Sequence, residues 1–180
     1  MSTTTSPPDR AVVVLEFLRS FSKRNDRGAL ANLRCLLTPA RRHRAWPLLG
    51  RIGGIDDPVV ETIAGLYAYH PGNEGDRSTR NLGDTCRHIA DKSRRDDGTS
   101  TFDGRFMRLL NCSQTELQDQ LRSVVFAAKA KGVPVNYVAL FRDLRFWDAN
   151  DWARTSWARA YWGHAGTDEE ATTPTTKEAI

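Results

Sequence analysis

The sequence predicts an all-α protein: a compact bundle of about seven to nine helices, or two stacked sub-bundles. Three observations lead there. Apolar residues recur at helical spacing along most of the chain. Side chains suited to N-capping stand just before several of those runs. No stretch alternates β-branched and polar residues as a half-buried strand would.

The first helix spans about residues 9 to 23, where Val14, Phe17, Leu18 and Phe21 fall at i, i+3, i+4 and i+7 and make one stripe. A second runs from Arg27 to Leu37 behind Asp26 as its N-cap, with Leu30, Leu33 and Leu37 facing inward. Thr38 and Pro39 then restart the chain as cap and first residue of a short basic helix, ARRHRAW. Asp57 and Pro58 repeat the device before VVETIAGLYAYH, which Pro71 and Gly72 end. PGNEGDRSTR (71–80) is a turn-rich loop. NLGDTCRHIADKSRR reads as the next helix, closed by DDGTS, and a further one over about 101–110 packs through Phe102, Phe106 and Leu109. Ser113 and Glu116 make a capping box for a long helix whose buried stripe is Leu117, Leu121, Val124, Val125 and Ala128, and Gly132 with Pro134 stops it. Two more helices, roughly 136–146 and 149–162, complete a single domain over 9–164. Residues 1–8 and the Thr-rich acidic tail 165–180 lack core-forming runs and are expected to be disordered. Of the aromatic cluster Phe141, Phe146, Trp147, Trp152, Trp157, Tyr161 and Trp162, Trp157 and Tyr161 have core spacing. Base stacking on exposed rings is the other reading, and Trp152 or Trp162 also suits a protein interface.

A chain of 180 residues can bury a core without staples. Its three cysteines, Cys35, Cys86 and Cys112, are odd in number and far apart, which fits buried thiols in a reducing cytosol. MSTTTSPPDR lacks the pattern of a signal peptide, and no apolar run approaches the ~18 residues of a membrane span. A soluble, cytoplasmic protein is expected.

Net charge is +4, but the last sixteen residues contribute −3, leaving +7 on residues 1 to 164. Of 26 basic residues 21 are Arg, whose planar fork grips phosphate through paired hydrogen bonds. A polyanionic partner and a coding bias toward Arg both account for that. The densest run, Arg41 to Arg44, splays around more than one face of a short helix.

Motifs of chemistry are missing. His43, His70, His88 and His164 form no HExxH or HxH pattern, and no phosphate-binding glycine loop or GxSxG elbow occurs. The pairs Asp56-Asp57 and Asp96-Asp97 suit caps and loops better than a catalytic dyad. No metal, cofactor or enzymatic activity is expected. What remains is charge. On the helix over 114–131 the apolar stripe leaves Gln118, Arg122 and Lys129 together on the far side, and the only nearby acids, Glu116 and Asp119, lie in the first turn. Arg105 and Arg108, one turn apart, sit off the Phe102 and Phe106 stripe. Basic faces without acids suit a surface that follows a sugar-phosphate chain, or else a solvated exterior.

The segments DRGALANLRCLL (26–37), NLGDTCRHIA (81–90), FDGRFMRLLNCSQTELQDQLRSVVFAAKAKGVPVNYVALFRDLRFWD (102–148) and WARAYW (157–162), in that order, resemble the CasB family. CasB is the small subunit of the type I-E CRISPR surveillance complex Cascade, and the likeness covers about residues 10–163. The resemblance implies a helical, non-catalytic subunit that pairs with a second copy of itself among the other Cascade subunits. It implies that such a subunit helps hold the target DNA strand and the displaced single strand once crRNA has opened the duplex into an R-loop, in antiviral defence. Carried over by motif, the nucleic-acid-binding candidates are Arg34, Arg87, Arg105, Arg108, Arg122, Lys129 and Lys131, with Arg142, Arg145, Arg154 and Arg159 in second place. Two other classes are consistent with the residues alone. One is a helical DNA-binding transcriptional regulator using Asp26 to Arg44 as a helix-turn-helix, and the other is a protein-only scaffold subunit.

Overall fold

A computed structural model of the chain describes residues 9–71, 79–94 and 100–163. Among them are nine α-helices and no strand: α1 (Arg10–Lys23), α2 (Arg27–Arg34), α3 (Trp46–Leu49), α4 (Pro58–Tyr69), α5 (Leu82–Asp91), α6 (Asp103–Asn111), α7 (Gln114–Lys131), α8 (Tyr137–Arg145) and α9 (Trp152–Trp162). The all-α expectation holds. The expectations for 1–8, for 165–180, for most of the 71–80 loop and for the break after Arg94 lie outside the described residues.

Local chemistry sets the helix starts. The carboxylate of Asp9 accepts the Ala11 N–H at 2.9 Å, and Asp26 accepts that of Ala29 at the same distance. Asp57 accepts from Val59 and Val60, Asn81 from Asp84, and Asn136 from Ala139. Each satisfies an N–H that the first turn leaves unpaired. At α7 the Glu116 carboxylate takes the Ser113 N–H at 3.1 Å, and Gly132 ends the helix at φ +60°, a conformation glycine adopts without strain.

Between α2 and α4 the expectation needs correcting. The second helix ends at Arg34 and tightens into a 3-10 turn over Cys35–Leu37; the basic segment Pro39–Ala45 is also 3-10. Thr38 is extended (φ −130°, ψ 105°) because a residue preceding proline is pushed out of the helical region. The α5 helix stops at Asp91, short of the serine and arginines that follow.

Helix α4 is apolar on nearly every side, with Val60, Ile63, Ala64, Leu66, Tyr67 and Ala68 all buried, so it occupies the centre. Around it pack α1, α2, α7 and α8. A second group joins α5 to α7 and α9, and α6 to α7. The two groups share one continuous hydrophobic core rather than separate ones. Gly83 lets α5 approach α9 closely: a Cβ there would come within 2.2 Å of the Trp157 carbonyl oxygen. Phe106 stacks on Tyr161 at 4.1 Å between centroids, and the Tyr161 hydroxyl donates to Asp103, which fixes α6 against the end of α9. Phe141, Trp147, Trp157 and Tyr161 are core, whereas Phe146, Trp152 and Trp162 are exposed.

Candidate nucleic-acid interface

The last turn of α4 has carbonyls without intrahelical partners and the negative end of the helix dipole, so it attracts donors and cations. Three other elements supply them. Arg34, closing α2, donates Nε–H to the Ala68 carbonyl at 2.8 Å. Lys129, in the last turn of α7, donates Nζ–H to the Tyr69 carbonyl at 2.8 Å. The Tyr137 hydroxyl of α8 donates to the His70 carbonyl at 2.8 Å. Two turns back on α7, Arg122 donates to the Leu37 carbonyl at 3.2 Å.

Aromatic rings fill the space between these cations. Tyr69 and Phe126 stack with centroids 3.8 Å apart and planes 19° from parallel. The Lys129 ammonium lies 4.2 Å from the Tyr69 centroid and the Arg122 guanidinium 5.2 Å from that of Phe126. Cation, two rings and cation thus form a ladder along the seam between α7 and α4. Lys131 and Lys92 close the neighbouring helix ends reciprocally: Lys92 donates to the Lys131 carbonyl at 2.9 Å, and Lys131 to that of Lys92 at 3.4 Å.

The structure therefore brings Arg34, Arg122 and Lys129 together, with Lys131 at the end of the same helix. It does not place Gln118, Arg122 and Lys129 on the far side of α7. Gln118 and Arg122 are half-buried along the seam, Gln118 donating to the Leu36 carbonyl, and the solvent-facing ridge is instead Thr115, Asp119 and Ser123. Arg105 and Arg108 stand elsewhere, exposed on α6; Arg108 donates only to the Gly104 carbonyl of its own helix, and Arg105 has no partner among the described residues. Arg87 on α5 is half-buried, and its Nε–H lacks a partner. None of these seven cations forms an ion pair with a described acid.

The second-tier arginines behave differently. Arg142 pairs with Asp9 at 2.6 Å, Arg145 with Asp57, and Arg154 with Asp151 at 3.2 Å. Only Arg159 is exposed with no bond or ion pair to a described residue. Lys92 escaped the sequence reading, although a Lys directly after a helix end is the signal that finds it. A helix-turn-helix at Asp26 to Arg44 would need a recognition helix, and Pro39–Ala45 supplies only 3-10 turns. Among the described residues no three or more His, Cys, Asp or Glu could hold a metal ion, and no helix is long and apolar enough to cross a membrane.

Residues 29–162 match the family described as CRISPR-associated protein Cse2. The chain belongs to that family. Solved members have the same fold at low identity. The crystal structure of CasB from M. ruber superposes with a TM-score of 0.68 at 23% identity, over 87% of this chain and 94% of that one. A CRISPR-associated protein of the Cse2 family from Thermus thermophilus gives 0.67 at 22%, over 88% and 99%. Among curated protein sequences none matches the chain. The Cse2 assignment bears out the CasB resemblance read from the four segments, and the matched span begins nineteen residues later than that resemblance (10 against 29).

Proposed function

We propose that this chain is a non-catalytic, cytoplasmic subunit of a crRNA-guided Cascade complex that binds the sugar-phosphate backbone of the target and displaced strands. Other Cascade subunits and a second copy of the chain are its partners. The observation that carries the reading is the state of its cations. Arg34, Arg105, Arg108, Arg122, Lys129 and Lys131 keep their charge without a described acid to cancel it, and all but Arg105 donate to backbone carbonyls. A cation bonded to a carbonyl is oriented yet still charged, which suits phosphate contact. In such a complex base pairing with the guide supplies sequence selectivity, and backbone contacts tip a near-balanced strand exchange toward the open state.

The test is fluorescence anisotropy with labelled single strands of different sequence over a salt series. Affinity should be indifferent to sequence and should fall with salt by about 0.7 log units per log unit for each phosphate contacted. Salt-independent binding, or preference for one duplex over random duplex, overturns the reading.

A further inference from the structure

A pocket of about 460 Å³ opens between α8 and α9, within the range of sites that take small molecules. One wall is the face of α9 that carries Trp152, Ser156 and Arg159, at helical spacings of four and three. Ala139 and Asp143 of α8 form the other, and Arg80 and Asn81 close one end. The site is built rather than incidental. Asn81 donates to the Ser156 hydroxyl at 3.0 Å, tying the end to the wall, and Arg80 is held by the buried Asp84 at 3.1 Å.

Three groups are left over. Trp152 is 65% exposed, far more than a large aromatic usually is. The Arg159 guanidinium has no partner among the described residues. Asp143 is 5% exposed; one carboxylate oxygen accepts the Trp157 indole N–H at 2.7 Å, and the other accepts nothing from the described residues. That second oxygen is not among the fully buried atoms without a partner, so it opens to the pocket and is free to accept from an occupant.

We propose that this pocket receives one unstacked nucleotide of a single strand, its base against Trp152, an N–H of the base edge on Asp143, and its phosphate at Arg159. The proposal rests on the backbone-binding role above and adds a base contact to it. A nucleotide carries the complementary three: a flat face, a donor on the base and an anion a few ångströms away. Burial holds the Asp143 carboxyl above its ordinary value, against the Trp157 hydrogen bond and the charge of Arg142, and an N–H from a base would supply the missing donor. An arginine from a partner protein would suit Trp152 and Asp143 equally, but it would lie beside the like charge of Arg159. That contrast favours the nucleotide.

The experiment uses the full chain and two labelled single strands of equal length, one with bases and one abasic throughout, so that both carry the same phosphates. The wild type should bind the strand with bases about tenfold more tightly at one salt concentration. Trp152→Ala should bind both strands alike, at the wild-type abasic level and with unchanged salt slope, and Trp152→Phe should restore part of the difference. Arg159→Gln should weaken both strands and lower the slope. Salt-dependent binding that is indifferent to bases in the wild type, or a base preference that survives Trp152→Ala, overturns the pocket while leaving the backbone role standing. Failure of both strands to bind overturns both. Binding of a short arginine-rich peptide that Trp152→Ala abolishes, with strand binding unaltered, assigns the pocket to a protein and overturns the nucleotide.

Discussion

Helices α7 and α8 carry similar cations in sequence, Arg122, Lys129 and Lys131 against Arg142 and Arg145. Folding gives them different partners. Those of α7 donate to carbonyls of Leu37, Tyr69 and Lys92, whereas those of α8 pair with the carboxylates of Asp9 and Asp57. Both arrangements fix a long side chain. Only the second cancels its charge, because a carbonyl is a dipole and a carboxylate an ion. An Arg count therefore overstates the positive surface, and the field that a polyanion meets depends on which acceptor each cation finds. Among these candidates the uncancelled charges lie along the seam of α4 and α7 and on α6 rather than on α8.

The largest effect should come from neutralising the seam. Arg34→Gln, Arg122→Gln and Lys129→Gln together remove three charges while each keeps an amide donor for the carbonyl. If each meets one phosphate, single-strand affinity near 0.1 M salt should fall roughly a hundredfold and the salt slope by about 2. Anisotropy titrations measure both. An affinity within threefold of wild type would mean that the seam only holds helices together.

The same replacement on α8 should do the reverse. Arg142→Gln with Arg145→Gln should leave strand affinity within about twofold, since those charges are already balanced by Asp9 and Asp57. Stability should drop only slightly, read as a small fall in Tm by calorimetry, as exposed and partly exposed ion pairs contribute little each. A large loss of binding here would erase the distinction between the two regions.

The helices were legible because their signals are local. Asp26, Asp57, Asn81, Ser113 and Asn136 each cap the helix that follows within three residues, and Leu117 to Ala128 repeat at helical spacing on one element. Where the expectation overran, at Arg34, the loss of α-helix came from the Thr38-Pro39 pair acting backward on the chain, and Phe146 faces solvent because α8 ends one residue before it. The cations were legible only by type. The acceptors of Arg34, Arg122, Lys129 and Lys131 stand 34 to 85 residues away, and no local period encodes such a distance. Pairing by carboxylate was hidden for the same reason: Asp9 and Arg142 are 133 residues apart.

The finest distinction between the regions is their response to acid. The hydrogen bond from Arg142 is the main reason that the Asp9 carboxyl sits below its ordinary value, with the Ala11 N–H adding to it. A carboxyl depressed by folding stabilises the protein above its unfolded value of about 3.9, and that contribution is lost as pH falls through the folded value. The stability difference between wild type and Arg142→Gln should therefore be constant from pH 7 to about 5 and begin to shrink as pH falls below the unfolded value of about 3.9. The difference between wild type and Lys129→Gln should stay level over the same range, because the Tyr69 carbonyl that Lys129 meets does not titrate. Urea denaturation of the three proteins from pH 7 to 3 reads both curves. Parallel decline of the two would mean that Lys129 also depends on a carboxylate, and that the seam is neutralised after all.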